Sequence, residues 1–126
     1  MSELTCLVLG LLMWFVHIFT QAAFAHRALG LDYLSSPRDE EPEETTGTLY
    51  PRATRALRNY IENFAPFAAA DLGLIATGHT GGWGATIWIV MRIIYLPLYM
   101  TGASPGRSIV WGLSLVGLLM MVWRLA

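Results

Sequence analysis

Arg52-Ala53-Thr54-Arg55-Ala56-Leu57-Arg58-Asn59-Tyr60-Ile61-Glu62 runs without interruption into the apolar stretch that ends at Thr77. At about 100° per residue, Arg52, Arg55, Arg58, Asn59 and Glu62 share one face, a stripe about a third of the helix wide. Pro51 suits a first helical turn, so one long helix begins near it and its Arg-rich start emerges from the apolar zone. Charged groups near hydrocarbon are costly unless paired or facing a wet cavity, which makes the stripe a candidate site. The competing reading is an anchor, with arginines snorkelling to head groups and Arg58–Glu62 as an i,i+4 pair. Snorkelling accounts for scattered arginines, but not for an Asn and a Glu aligned behind them.

The rest of the chain agrees with a membrane setting. Its 126 residues are 55% hydrophobic and 13% charged, about half the charged fraction of a soluble domain. Mean hydropathy is +0.49. Three further stretches are long enough to cross a bilayer, which takes about 20 residues. With the Tyr60–Thr77 segment, Leu4–Ala25, Trp83–Thr101 and Ser108–Leu125 make four expected spans. The expected fold is therefore an all-α membrane protein, a four-transmembrane-helix antiparallel bundle forming a single domain over residues 1–126. Ala23-Phe24-Ala25 resembles a signal-peptidase site, but Glu3 replaces the usual positive start and His17, Thr20 and Gln21 interrupt the apolar run. Retention of the first span is expected.

All eight basic residues are Arg, and the net charge of −1 offers no electrostatic case for nucleic acid. A single cysteine, Cys6, excludes an internal disulfide and any multi-Cys metal site. Residues 30–50 read as an acidic linker, with Asp32, Asp39, Glu40, Glu41, Glu43 and Glu44 around Arg38. They lack EF-hand spacing, and no metal site is expected. Arg27, Arg38, Arg52, Arg55, Arg58 and Arg107 fall on one side of the four spans and only Arg124 on the other. The positive-inside rule then makes the linker cytoplasmic and puts both termini outside the cytoplasm.

Other polar residues align with this end. His17, Thr20, Gln21, Phe24 and Arg27 share a face of the first span, where interhelical hydrogen bonding explains them. Arg92, Tyr95 and Tyr99 share a face of the third, and Pro97 is expected to bend it. Arg92 lies about 13 Å from the span's end, too deep for easy snorkelling, and Glu62 is the expected partner. Arg107-Ser108 opens the fourth span, with Trp111 one turn below, facing the same cavity. Ala65, Ala69, Gly73 and Thr77, and Ser108 with Gly112, are small-residue faces suited to close packing within a protomer or between copies. Asp71 lies off the stripe, with a subunit interface as its candidate role.

Several arginines, a carboxylate, an Asn and two tyrosines suit a zwitterionic ligand with more than one carboxylate. A nearby Arg also favours the thiolate of a bound thiol. Glutathione carries all these groups, though other peptides and acidic lipids satisfy the same chemistry.

Arg52-x-x-Arg55-Ala56-x-x-Asn59-x-x-Glu62-x-x-x-Pro66-Phe67 resembles the signature of the MAPEG family, the membrane-associated proteins in eicosanoid and glutathione metabolism. Tyr95-Leu-Pro-Leu-Tyr99 and Arg107-Ser108 match its third- and fourth-helix motifs in order and approximate spacing. The resemblance covers essentially the whole chain. It implies a homotrimer in the lipid bilayer that binds glutathione as co-substrate between neighbouring protomers. Arg55, Asn59, Glu62, Tyr95 and Tyr99 match glutathione contacts, and Arg107 matches the thiol-activating arginine. Arg52, Arg92 and, more loosely, Arg27 are further glutathione-binding candidates. Arg92 and the Ser-Pro-Arg-Asp stretch look like bacterial-type members, which implies a bacterial inner membrane. The activity implied is a glutathione-dependent transferase or peroxidase acting on a hydrophobic small-molecule substrate. The family also contains non-catalytic lipid-binding members, and a scaffold of that kind is the alternative. The absence of internal repeats and broken helices disfavours a transporter.

Overall fold

The computed structural model describes residues 1–40 and 47–126. Four helices account for nearly all of them: α1 (Glu3–Ser35), α2 (Leu49–Thr77), α3 (Gly84–Thr101) and α4 (Ser104–Leu125). Each packs antiparallel to the next. Tyr60 of α2 donates its hydroxyl to the Gly10 carbonyl of α1 (2.7 Å), while Phe64 and Phe67, further along α2, press on the same glycine. Phe67 stacks on Trp88 of α3 with centroids 3.8 Å apart, and Gly84 of α3 meets Gly117 of α4. α2 and α3 each touch the three other helices, and α1 and α4 flank them without meeting among the described residues.

The four helices differ in how apolar they are. α1, α3 and α4 are long and apolar enough to cross a membrane, whereas α2 falls short of the expected fourth span on composition. α1 turns Leu4, Val8, Leu11, Phe15 and Phe19 outward. The protein is an all-α four-helix membrane bundle.

Several boundaries differ from the sequence reading. Helix continues to Ser35, beyond a break at Gly30 (φ 77°, ψ 160°), so it occupies the first part of the stretch expected to be linker. That backbone geometry is open to glycine and strained for residues with a Cβ, which is why the helix breaks there. The expectation of poor order across Glu41, Glu43 and Glu44 lies outside the described residues. α4 begins at Ser104, with Pro105 in its first turn, which leaves a shorter connection than expected after α3. α3 runs through Pro97 as one continuous helix.

Of the expected small-residue faces, Gly73 packs closely within the protomer, where a Cβ would lie 3.1 Å from the Leu125 side chain of α4. Ala65, Ala69 and Thr77 are exposed, and a Cβ on Gly112 would meet open space. Backbone contact occurs where Gly84 faces Gly117: a Cβ on Gly117 would sit 2.7 Å from the Gly84 oxygen, and one on Gly84 2.6 Å from the Gly117 oxygen. Asp71 points into the protomer core, where it is fully buried with neither carboxylate oxygen hydrogen-bonded among the described residues. Its burial inside one protomer sets aside the subunit-interface role. At the same end Glu3 is buried and its carboxylate accepts from the amides of Gly81 (2.7 Å) and Gly82 (3.2 Å), fastening α1 to the α2–α3 turn.

The glycine contact predicts a clean contrast. Gly117→Ala forces α3 and α4 apart and should cost about 1–3 kcal/mol, whereas Gly112→Ala should be neutral or mildly stabilising. Thermal or denaturant unfolding of the detergent-solubilised variants measures both; equal stabilities would contradict the packing.

Candidate functional site

The sequence stripe on α2 divides according to its angle to the buried face. At about 100° per residue, the centre of the stripe stands roughly a third of a turn from the line of Ala56, Tyr60, Phe67 and Leu74. Those four are buried. Arg52 and Asn59 are the stripe residues nearest that line, and both bond across to α3. Arg55, Arg58 and Glu62 lie farther round and are exposed.

Arg52 donates from Nη1 to the Met100 carbonyl (3.0 Å), and its guanidinium covers Gly102, the left-handed residue (φ 80°) that ends α3. A Cβ there would lie 2.7 Å from Arg52 Nη2, so glycine serves both the turn and the arginine. Lone carbonyls at a helix C-terminus attract cations, which accounts for the placement.

Asn59 meets Arg92. The Arg92 Nη1 donates to Asn59 Oδ1 at 2.8 Å, and Arg92 is wholly buried. Its guanidinium carbon lies 5.5 Å from the Trp88 ring centroid and 5.3 Å from that of Tyr95. Aromatic faces attract a cation in this way and offset part of its burial. Nε and Nη2 have no hydrogen-bond partner among the described residues. Glu62, the expected partner of Arg92, instead accepts from Arg58 Nε at 3.0 Å on the outer surface, with side chains 82% and 57% exposed. The reason is rotational: Glu62 has the depth to reach Arg92, but the wrong face of α2.

On the other side of Asn59 is a cavity of about 180 Å³ lined by Asn59, Tyr95, Tyr99, Arg107, Ser108 and Trp111. Tyr95 and Tyr99 are one helical turn apart, with ring centroids 5.5 Å apart. The Arg107 guanidinium lies over the Tyr99 ring at 4.7 Å. Arg107 belongs to the first turn of α4, so unpaired amides and the positive helix end reinforce its charge there. The cavity combines a cation, an amide and two phenols, a set suited to anionic oxygen or sulfur.

Four predicted residues, Asn59, Tyr95, Tyr99 and Arg107, therefore share one cavity wall. Arg92 stands behind that wall rather than in it. Arg52 caps α3, and Arg55, Arg58 and Glu62 face outward. Arg27 is exposed beside Phe24, 5.8 Å from its ring centroid, and lines a separate groove with Thr48 and Tyr50. His17 is buried, donates from Nδ1 to the Met13 carbonyl (2.8 Å) and stacks on Tyr60 at 4.2 Å. That hydrogen bond stays within α1, so the interhelical bond expected of His17 is not made, and only the ring stack reaches α2. The Asn59–Arg92 bond escaped the sequence reading; the signal available was that Arg92 needed a partner within the bundle. No metal-binding cluster of His, Cys, Asp and Glu occurs among the described residues.

No curated protein and no solved structure matches the chain significantly. The family model for MAPEG matches residues 3–126, across all four helices and the cavity between them. The chain belongs to the MAPEG family.

Proposed function

We propose that this protein is a glutathione-dependent integral membrane transferase or peroxidase acting on lipophilic electrophiles. The observation that carries the reading is the convergence of Asn59, Tyr95, Tyr99 and Arg107 on one cavity in a bundle of this family. Arg107 holds the glutathione sulfur as thiolate, the proton passing to solvent. The sulfur then forms a bond to the electrophile as the leaving group departs with its electron pair. Asn59, Tyr95 and Tyr99 orient the peptide, and the substrate enters from the bilayer past Trp111 and α4.

Two features support a site shared between copies of the chain. At about 180 Å³, the cavity of one protomer falls below the roughly 300–1,000 Å³ usual for ligand sites. Arg55, Arg58 and Glu62 also stand exposed on an outer face of α2, so the further charges suited to a zwitterionic ligand lie outside the cavity of one protomer. A trimer with the α1–α2 face of one protomer against the cavity of the next would add these residues and Arg27 to the ligand shell. Glu62 would then take the ligand ammonium and the arginines its carboxylates. A shell built on Arg58–Glu62 without turnover would fit the lipid-binding members of the family instead.

Solubilised protein titrated with glutathione and assayed with an electrophilic aryl halide tests the reading. Binding with turnover is expected; no binding at millimolar glutathione would overturn it, and binding without turnover would favour the non-catalytic alternative. Arg107→Ala should lower turnover by about 10²–10³-fold, the loss of about 2.7–4 kcal/mol typical of a donor to a developing anion. Arg107→Lys should recover little, since it lacks the planar fork. The ultraviolet absorbance of bound thiolate is the direct readout, and an unchanged signal in Arg107→Ala would return this residue to an anchoring role.

Orientation follows from the arginine asymmetry. We expect the cavity end and the linker in the cytoplasm, with both termini outside it. Reporter fusions at Ala126 and after Glu40 measure this, and a cytoplasmic signal at Ala126 would reverse the assignment.

A further inference from the structure

A guanidinium has donors and no acceptor, so the atom that Asn59 offers to Arg92 has to be its amide oxygen. The bond is 2.8 Å long and runs away from the cavity, toward a residue that is fully buried. The other half of the amide, Nδ2, is then the atom left for the cavity that Asn59 lines. Nothing on α3 other than Arg92 bonds the Asn59 side chain among the described residues, and Asn63 uses only the Asn59 backbone carbonyl, at 2.8 Å. Without Arg92 the amide is free to turn over and present either end.

Burial gives the pair a second property. Arg92 has no carboxylate partner among the described residues: Glu62 is turned outward to Arg58. Trp88 and Tyr95 hold the cation by their ring faces, but they bring no formal negative charge. The charge on Arg92 therefore polarises the Asn59 amide in the direction that makes its N–H groups better donors.

From these observations we infer that Arg92 is a positioning residue for the cavity: it fixes Asn59 as a hydrogen-bond donor, so that this wall reads an acceptor oxygen of the ligand. The inference deepens the proposed glutathione reading and rests on it for the identity of the ligand. The group read is a carboxylate or peptide carbonyl oxygen. A ligand that presents an N–H or ammonium to the same wall meets a donor and is rejected. Arg92 itself touches no ligand.

A double-mutant cycle tests the coupling, with glutathione affinity measured by titration calorimetry on solubilised protein. Arg92→Met and Asn59→Ala should each weaken binding by about ten- to a hundredfold, the range for a hydrogen bond to a charged group. The double variant should bind no more weakly than Asn59→Ala alone. Arg92→Lys should recover part of the loss, because an ammonium still donates to Oδ1. Losses that multiply in the double variant, or an Arg92→Met protein of wild-type affinity, would overturn the inference. Asn59→Asp separates fold from function: its carboxylate pairs with Arg92, so thermal stability should hold while the donor, and with it the affinity, is lost. Retained affinity in this variant would count against the donor role.

A ligand-free measurement keeps this test distinct from the proposed function. In protein labelled at asparagine nitrogen, nuclear Overhauser contacts should link the Asn59 Nδ2 protons to the Tyr99 or Trp111 ring protons. Contacts to Trp88 instead would show the amide reversed and end the proposal. Wild-type protein that binds no glutathione would defeat the functional reading, and these contacts would still decide the role of Arg92.

Discussion

A cation inside a membrane bundle has to find its company within the protein, and Arg92 sets that condition here. It takes the Asn59 amide oxygen on one side and the faces of Trp88 and Tyr95 on another. Those residues cannot move independently of it. Trp88 in turn carries the stack with Phe67, and Tyr60 joins the same aromatic cluster to His17 of α1. The core of three helices and the wall of the cavity thus share one polar centre. The ring faces and the single amide offset only part of the desolvation cost of this buried charge.

α2 shows how one helix serves two environments. Its buried line packs against every other helix, while the stripe beside it grades from bonded to exposed over a short arc. Arg52 and Asn59, at the near margin, lock onto α3. Arg55, Arg58 and Glu62, at the far margin, remain outside the protomer. An arrangement of this kind leaves a charged patch on the outside of the single chain. The apolar outer surfaces of α1 and α4 match the bilayer, but this part of α2 does not.

Much of this was legible in sequence because the helix repeat places residues on faces without knowledge of the fold. Four apolar stretches and the turns between them suffice for the antiparallel bundle. Tyr95, Tyr99 and Arg107 converge because two of them share a helix face and the third follows a short turn. Arg92 was legible as needing a partner inside the bundle, but position along the helix axis alone cannot separate Asn59 from Glu62. The two differ by less than one turn along α2 and by about 60° around it. The choice between them depends on which way α2 is rotated against α3, a tertiary quantity. The meeting of Gly84 with Gly117 is hidden for the same reason: it depends on the register of two helices. The helix beyond Gly30 was missed because an acidic, Pro-containing stretch reads as linker from composition, and the helix stops only at Ser35.

The clasp of Arg52 on Met100 and Gly102 bears on how this protein can vary through evolution. It ties the start of α2 to the corner from which α4, and hence Arg107, departs. The cavity rim is therefore fixed by a link that bypasses the α1–α2 connection altogether. Changes of length and charge between α1 and Thr48 need not displace the residues around the cavity. Arg52 and Gly102, by contrast, constrain each other, because any side chain at position 102 would meet the guanidinium.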